Sequence, residues 1–346
     1  MNICRKIKKW FVNIDTGFIK EQPKKDDYKV GESPIEHDIR IYDGNWTDHL
    51  PEDEMQRRNN VETMACVSFS ALNSIEMQIN WMINTDKISV GAMNFLNDND
   101  YISNGKVNLS DRFLAITSDT TPRGNYLTKV AQTIRKFGVI PEGYLSFGSP
   151  NNWGEYHDKD KVDDNMLSIG KEFLNYFNIQ YEWVVAPNSG GTHESKRQAV
   201  LKQLQHTPLQ IAKDGHATDY FDGVDGIRFM QYDSYGPFTK ERPWSYDPYY
   251  VMKILVTEKS EFSDEQIATA RKYVLEVMKE RPLPYFWRPK TGDSKANGES
   301  FLINPNGSFK YKKGIPCALF ESLVVNNYLT PINADIWGKF RPAEIK

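Results

Sequence analysis

The chain has 346 residues and a formal net charge of −3, with 43 Lys and Arg against 46 Asp and Glu. Both signs are mixed along it, so there is no basic excess to neutralise phosphates, which excludes a dedicated nucleic-acid binder. Apolar residues make up 39%, enough for a sizeable core, yet no window approaches the ~20 consecutive apolar residues of a membrane span.

Residues 1–45 are polar, charged and weakly periodic. They read as a permanent arm wrapping the domain, short for an inhibitory propeptide, with GESP at 31–34 as a turn. The opening MNICRKIKKWF lacks the apolar core of a secretory signal. So short a basic stretch gives little membrane affinity, which favours an ordinary solvated terminus over a membrane-surface or partner-binding arm. Trp46 to Asn60 reads as extended and loop-like. In 66–83, Phe69, Leu72, Ile75, Ile79 and Met82 recur every three to four residues, which predicts a helix with one apolar stripe.

A second helix is predicted over 125–137, with Leu127, Val130, Ala131, Ile134 and Phe137 inward, Gly138 at its end and Pro141 beyond. A third runs over 194–205 and stops before Pro208; LQIA at 209–212 then reads as a buried strand. The turn-rich DGVDG at 222–226 leads into a strand at 227–232. Helices first and strands later make an α+β pattern. The aromatic cluster WSYDPYY at 244–250 reads as packing in preference to a ligand groove. Beyond about 259 the composition changes. A capped amphipathic helix is predicted at 263–280, a hairpin turn at NPNG (304–307), and a helix at 317–325. Residues 259–346 therefore read as an appended α/β region that packs on the preceding domain or takes a partner protein.

The three cysteines are Cys4, Cys66 and Cys317. So sparse and odd a set is no disulfide framework, which points to a reducing, cytoplasmic compartment. There is no CxxC and no HExxH, so neither a metal site nor a cofactor is expected. Cys66 opens a predicted helix, a position that favours a thiolate, provided a histidine arrives from elsewhere in the fold. His216 in DGHAT follows a predicted strand, with Gly215 and Ala217 leaving room beside its ring. Asp233 in YDSYG ends the next strand, where a hairpin returns it beside His216 as the acceptor that orients the ring. Cys4 and Cys317 read as structural.

These residues carry a resemblance. MACVSFSA (64–71) resembles the nucleophile segment of papain-like cysteine peptidases, CGSCWAFSA, in the cysteine and in Phe69-Ser70-Ala71. LSDRFL (109–114), PRGNYLTKVAQTIRKFGV (122–139), VLKQLQHTPLQIAKDGHA (200–217) and Asp233-Ser234-Tyr235-Gly236 resemble later family segments in the same order. The resemblance implies a two-lobed papain-like fold over 46–258, a Cys66–His216–Asp233 triad, no cofactor, and a peptide or protein substrate bound along Gly124 and Asn125. The family's oxyanion glutamine, six residues before the nucleophile, is Asn60 here; Gln56 is the other upstream amide. Val67 and Tyr235 stand where the family has tryptophans, and Asp233 where it has asparagine. The phrase ETMACVSFSALNSIE also resembles cysteine-peptidase-like proteins of bacteria and tailed phages. Three functions are therefore in view: a peptidase, a cell-wall amidase or acyl transferase with the same triad, and a catalytically silent structural protein, virion-associated if of phage origin.

Overall fold

Residues Cys66–Asn84 form helix α1, and from Cys66 to Met82 every residue is buried. The computed structural model describes residues 17–21, 38–244, 248 and 250–259, and beyond these only the backbone of short strands. The apolar stripe of α1 is as the sequence implies, but its polar face is covered too. Gln78 donates to Ile254 O and accepts from Val256 N–H, while Gln210 Nε2 donates to Val67 O and Ser70 Oγ. Buried amides persist there because each finds a partner. The expected amphipathic helix is thus a central one, enclosed by elements on all sides.

The helical part continues with α2 (Val90–Asp98), α3 (Asp111–Thr117), α4 (Leu127–Phe137), α5 (Trp153–Tyr156) and α6 (Asp164–Tyr176). Ser89, Ser110 and Asp163 cap α2, α3 and α6 by accepting from backbone N–H groups of the first turn. Leu127, Val130, Ala131 and Ile134 of α4 are buried, and Gly138 ends that helix at a φ of 74°.

The second lobe is a six-stranded antiparallel sheet. Its strands are β1 (Phe177–Val185), β2 (Leu209–Lys213), β3 (His216–Asp222), β4 (Arg228–Tyr232), β5 (Thr239–Pro243) and β6 (Tyr250–Glu258), in the spatial order β1-β6-β2-β3-β4-β5. Helix α7 (His193–Leu204) lies on one face through Val200 and Leu204, with Leu209, Ile211, Tyr220, Phe229, Trp244 and Val251. The other face meets α1 through Ala212, Ala217 and Phe221. Burial is continuous along β2 from Leu209 to Ala212 and along β3 from Ala217 to Phe221, so both faces of these strands are covered. Trp244 and Tyr250 of the aromatic cluster are buried, as packing residues. Among the described residues no helix is long and apolar enough to cross a membrane.

The chain divides into two compact units, Met1–Glu258 and Lys259–Lys346. In the second, the backbone of Tyr285–Trp287, Glu299–Ile303 and Ile315–Pro316 forms a three-stranded sheet, and Leu329–Asn333 pairs with Lys339–Pro342. The helices expected at 263–280 and 317–325, the turn at 304–307, and Cys4 and Cys317 lie outside the described residues.

Candidate active site

Cys66 is the first residue of α1, where helical N–H groups lack intrahelical acceptors. The approach to it is fixed from below. The Thr63 hydroxyl donates to Gln56 O, while Trp153 Nε1 and His157 Nε2 both donate to Thr63 O, at 3.1 and 2.8 Å. The thiol is reduced, and its residue is 0% exposed.

His216 opens β3 directly after a two-residue turn, Asp214-Gly215, whose φ angles of 51° and 81° suit a hairpin of type I′. The next residue, Ala217, donates its N–H to Cys66 Sγ at 3.4 Å, which fixes the start of β3 against the thiol. His216 Nε2 donates to Asp233 Oδ1 at 2.8 Å, so Nδ1 is the nitrogen left for Cys66. Asp233 follows the last residue of β4, and its N–H donates to Phe238 O at 2.8 Å, which closes the β4–β5 connection under it. Its Oδ1 also accepts the Tyr235 N–H, and its Oδ2 accepts Lys240 Nζ at 2.8 Å. His216 and Asp233 are therefore bonded to each other, and the start of β3 that carries His216 is bonded to Cys66 of the helical lobe.

The electrostatics follow from these contacts. Burial works against a charge on the His216 ring, but the hydrogen bonds to Asp233 and Cys66, and the charges of both, outweigh it, and the pKa is raised to about 10. Burial would likewise raise Asp233, yet the bond and charge of His216, then those of Lys240, hold it below the usual carboxylate value.

The two upstream amides part company. Asn59 and Asn60, at φ 51° and 64°, form the exposed turn of a small hairpin that pairs Arg57–Arg58 with Val61–Glu62. Asn60 is thus accounted for as a turn residue, since Asn tolerates positive φ, and the expectation that it serves the oxyanion finds no support in its placement. Gln56, fully buried, is brought beside the triad instead. It accepts from Ser234 Oγ at 2.7 Å, and its Nε2 donates to Glu62 Oε1 and the Tyr235 hydroxyl. The Tyr235 hydroxyl in turn donates to Glu62 Oε2 at 2.6 Å. Burial first, then Glu62, push the Tyr235 phenol up, so it keeps its proton. Its ring lies 5.2 Å from that of His216. Glu62 and Lys240 were not foreseen, because neither lies in a segment with a recognisable pattern.

Asn125 spends its side chain on its own loop. Its Nδ2 donates to Ser118 O, Ser118 Oγ and Thr120 Oγ1, and its Oδ1 accepts the Tyr126 N–H. Its backbone faces a strand-like ligand, and that ligand is residues 17–21 of the same chain. Phe18 makes a parallel bridge with Asn125: Ile19 N–H donates to Asn125 O at 2.8 Å and Asn125 N–H to Gly17 O at 2.9 Å. Phe18 N–H donates to Gly215 O at 2.7 Å, next to His216. The Phe18 ring is 1% exposed and meets Tyr250 edge-on at 5.4 Å. Glu21 accepts from the Thr128 N–H and hydroxyl in the first turn of α4. Gly17 comes so close that a Cβ there would stand 2.8 Å from Cys66 Sγ, and a Cβ on Gly124 would overlap the Gly17 carbonyl. Residues 17–21 thus enter the site and cover the thiol.

No family model matches the chain, and no curated protein does. Among solved structures it is similar to procathepsin L 3 of the Tenebrio molitor larval midgut, at 11% identity and a TM-score of 0.41, over 71% of this chain and 78% of that one. It is also similar to xylellain, a cysteine protease from Xylella fastidiosa, at 12% identity and a TM-score of 0.41, over 71% of this chain and 96% of that one. Identities this low and superpositions this loose carry no residue's role across. On its own architecture, a helical lobe and an antiparallel sheet packed around a cysteine-opened helix, the chain has a two-lobed α+β fold.

Proposed function

We propose that the chain is a cysteine peptidase that cleaves peptide bonds through Cys66, His216 and Asp233. The observation that carries this reading is a helix-opening cysteine that accepts the N–H of the residue after a histidine, that histidine's Nε2 being held by a buried carboxylate. In this mechanism the Cys66 thiolate attacks the peptide carbonyl carbon. The oxyanion is met by the Cys66 backbone N–H, with the Gln56 amide as the side chain placed to assist once it leaves Glu62 or Tyr235. The His216 imidazolium gives its proton to the departing amine, and a thioester forms. Water, losing a proton to His216, then attacks the thioester, and the acid and thiolate are released. Asp233 stabilises the imidazolium throughout and stays ionised.

One observation favours a second reading, that of a catalytically silent protein: the thiol is covered by the chain's own residues 17–21. The two separate by experiment. Full-length protein and its Cys66→Ser variant are assayed on a library of fluorogenic peptides at neutral pH. Turnover in the parent that the serine variant loses supports the peptidase. Turnover that survives Cys66→Ser refutes this nucleophile. No turnover, even in a variant whose residues 17–21 have been displaced, supports the silent reading.

A further inference from the structure

Asp233 is only 4% exposed, yet it is an anion with two oxygens to satisfy. Its Oδ1 has the His216 and Tyr235 N–H groups, and its Oδ2 has Lys240. Lys240 lies on β5, the edge strand, opposite Gln231 of β4. The burial of β5 alternates, so Thr239, Glu241 and Pro243 face out while Lys240 and Arg242 face in. Arg242 is engaged by Gln231 Oε1, which leaves Lys240 as the group directed at the carboxylate. Its side chain is 20% exposed against 5% for Asp233, so the pair is shielded on one side and open on the other.

A lysine on an edge strand often serves only to keep other strands away. The geometry here asks for more. With Lys240 absent, a buried carboxylate oxygen would have no donor, and the carboxylate would turn or take a proton to relieve it. A second consequence is electrostatic. His216 faces two groups that bind its proton more tightly as they become anionic, Cys66 on α1 and Asp233 beyond β4. The other ionisable neighbours are the Tyr235 phenol, which stays protonated, Glu62 behind it, and Asp219 on β3, whose pKa burial pushes well above the usual carboxylate value. Too firm a hold on the proton would hinder its delivery to a leaving amine and the return of the ring to a base. A cation bound to the far oxygen of Asp233 offsets part of that charge.

We propose that Lys240 is a positioning residue for the Asp233–His216 couple, its ammonium fixing the second carboxylate oxygen and taking up part of the charge the imidazole would otherwise feel. This rests on the peptidase reading for its purpose, but its test does not. In the full-length chain carrying Cys66→Ala, which removes coupling to the thiol, His216 is titrated by NMR with and without Lys240→Gln. Glutamine keeps a donor for Oδ2 and removes the charge, so the His216 pKa should rise by roughly one unit. Lys240→Arg should return it to the parent value. With Cys66 present, the alkaline limb of Cys66 alkylation should move up in the same sense in Lys240→Gln. A His216 titration that is unmoved or shifted down in Lys240→Gln, or the same in the Gln and Arg variants, would reduce Lys240 to an edge-strand charge and overturn the proposal. Should Lys240→Gln fail to fold, Lys240→Asn, which also keeps an N–H donor and removes the charge, is read the same way, by the same titration. Survival of hydrolysis in Cys66→Ser would sink the peptidase reading while leaving this titration valid.

Discussion

Replacing Phe18 by alanine should uncover Cys66. The segment 17–21 is held by a buried aromatic ring, three backbone hydrogen bonds and the Glu21–Thr128 contact. Burial of such a ring is worth ~2 kcal/mol. The bonds contribute about 1 kcal/mol each, and ordering the residues costs about 1–2 kcal/mol apiece. Opposing terms of similar size make detachment of this segment a local opening well below global unfolding. Loss of the ring should therefore act in full on that opening, and ~2 kcal/mol corresponds to roughly a 30-fold rise in the open fraction. The assay is the rate of iodoacetamide addition to the folded chain, read on the Cys66 peptide by mass spectrometry so that Cys4 and Cys317 are counted apart. Gly124→Ala is the independent check, because its Cβ cannot coexist with the Gly17 carbonyl and Gly124 sits at a φ of 99°. If both variants fold and alkylate at the parent rate, residues 17–21 do not govern access to the thiol and the reasoning fails.

Asp233→Ala should lower the His216 pKa from about 10, because the second-largest contribution to its position, and the chief one raising it, is lost; an NMR titration reads this directly. The same raised pKa means that His216 contributes stability in full below its unfolded value near 6.5 and loses it as pH rises through about 10. Asp233, being depressed, contributes above about 3.8 and loses that as pH falls through its lowered value. Glu142 is raised to about 8, by burial first and then by the charge of Glu54. Its contribution is therefore complete below about 4.5 and gone above about 8, so Glu142→Gln should raise the urea midpoint at pH 8.5 relative to the parent and change it little at pH 5. Lys253 and Glu182 are both fully buried with 3.2 Å between Nζ and Oε2. Lys253→Met alone should cost about 3–5 kcal/mol in urea denaturation, and adding Glu182→Leu should recover most of it.

Much of the site could be read in the sequence because its signals are local. Cys66 heads a run with helical period. His216 follows a dipeptide that turns a hairpin, and Asp233 falls one strand later, so order along the chain fixes adjacency in the sheet. What escaped depends on partners distant in sequence. Gln78 and Asn80 of α1 look solvent-facing by pattern, and only the backbone of β6, for Gln78, and of His49 and Val107, for Asn80, makes them interior. The caps of α2, α3 and α6 were present as Ser89, Ser110 and Asp163, but the helices they open are short or lead straight into another element: α6 passes into β1 at Phe177 without a glycine or proline to mark the change. The Asn60 expectation relied on counting six residues back from Cys66. The Asn59-Asn60 turn occupies that position, and the hairpin it closes sets Gln56 against Ser234 instead.

The segment 17–21 lies at the other extreme of legibility, and the reason is physical. A helix or a half-buried strand announces itself because side chains must repeat with the period of the backbone. This segment is bound chiefly through its own backbone, to Asn125 O, Asn125 N–H and Gly215 O, and any sequence can make such bonds. Only the side chains at its two ends select it. Gly17 is required where the chain passes the thiol, since a Cβ there would crowd Cys66 Sγ, and Phe18 and Glu21 reach the sheet and the start of α4. Both Gly17 and Gly124 are ordinary glycines to a reader of the sequence, because the constraint each satisfies lies far along the chain: Cys66 Sγ and Met64 O for Gly17, the Gly17 carbonyl for Gly124. Neither position can therefore be changed alone without moving the segment, whereas Ile19 and Lys20, with side chains partly exposed or exposed, should tolerate substitution. Ile19→Ser that left Cys66 alkylation within about threefold of the parent would fit this division; a rise matching that of Phe18→Ala would show that the segment is held by apolar contact along its whole length and not by backbone pairing with one anchoring ring.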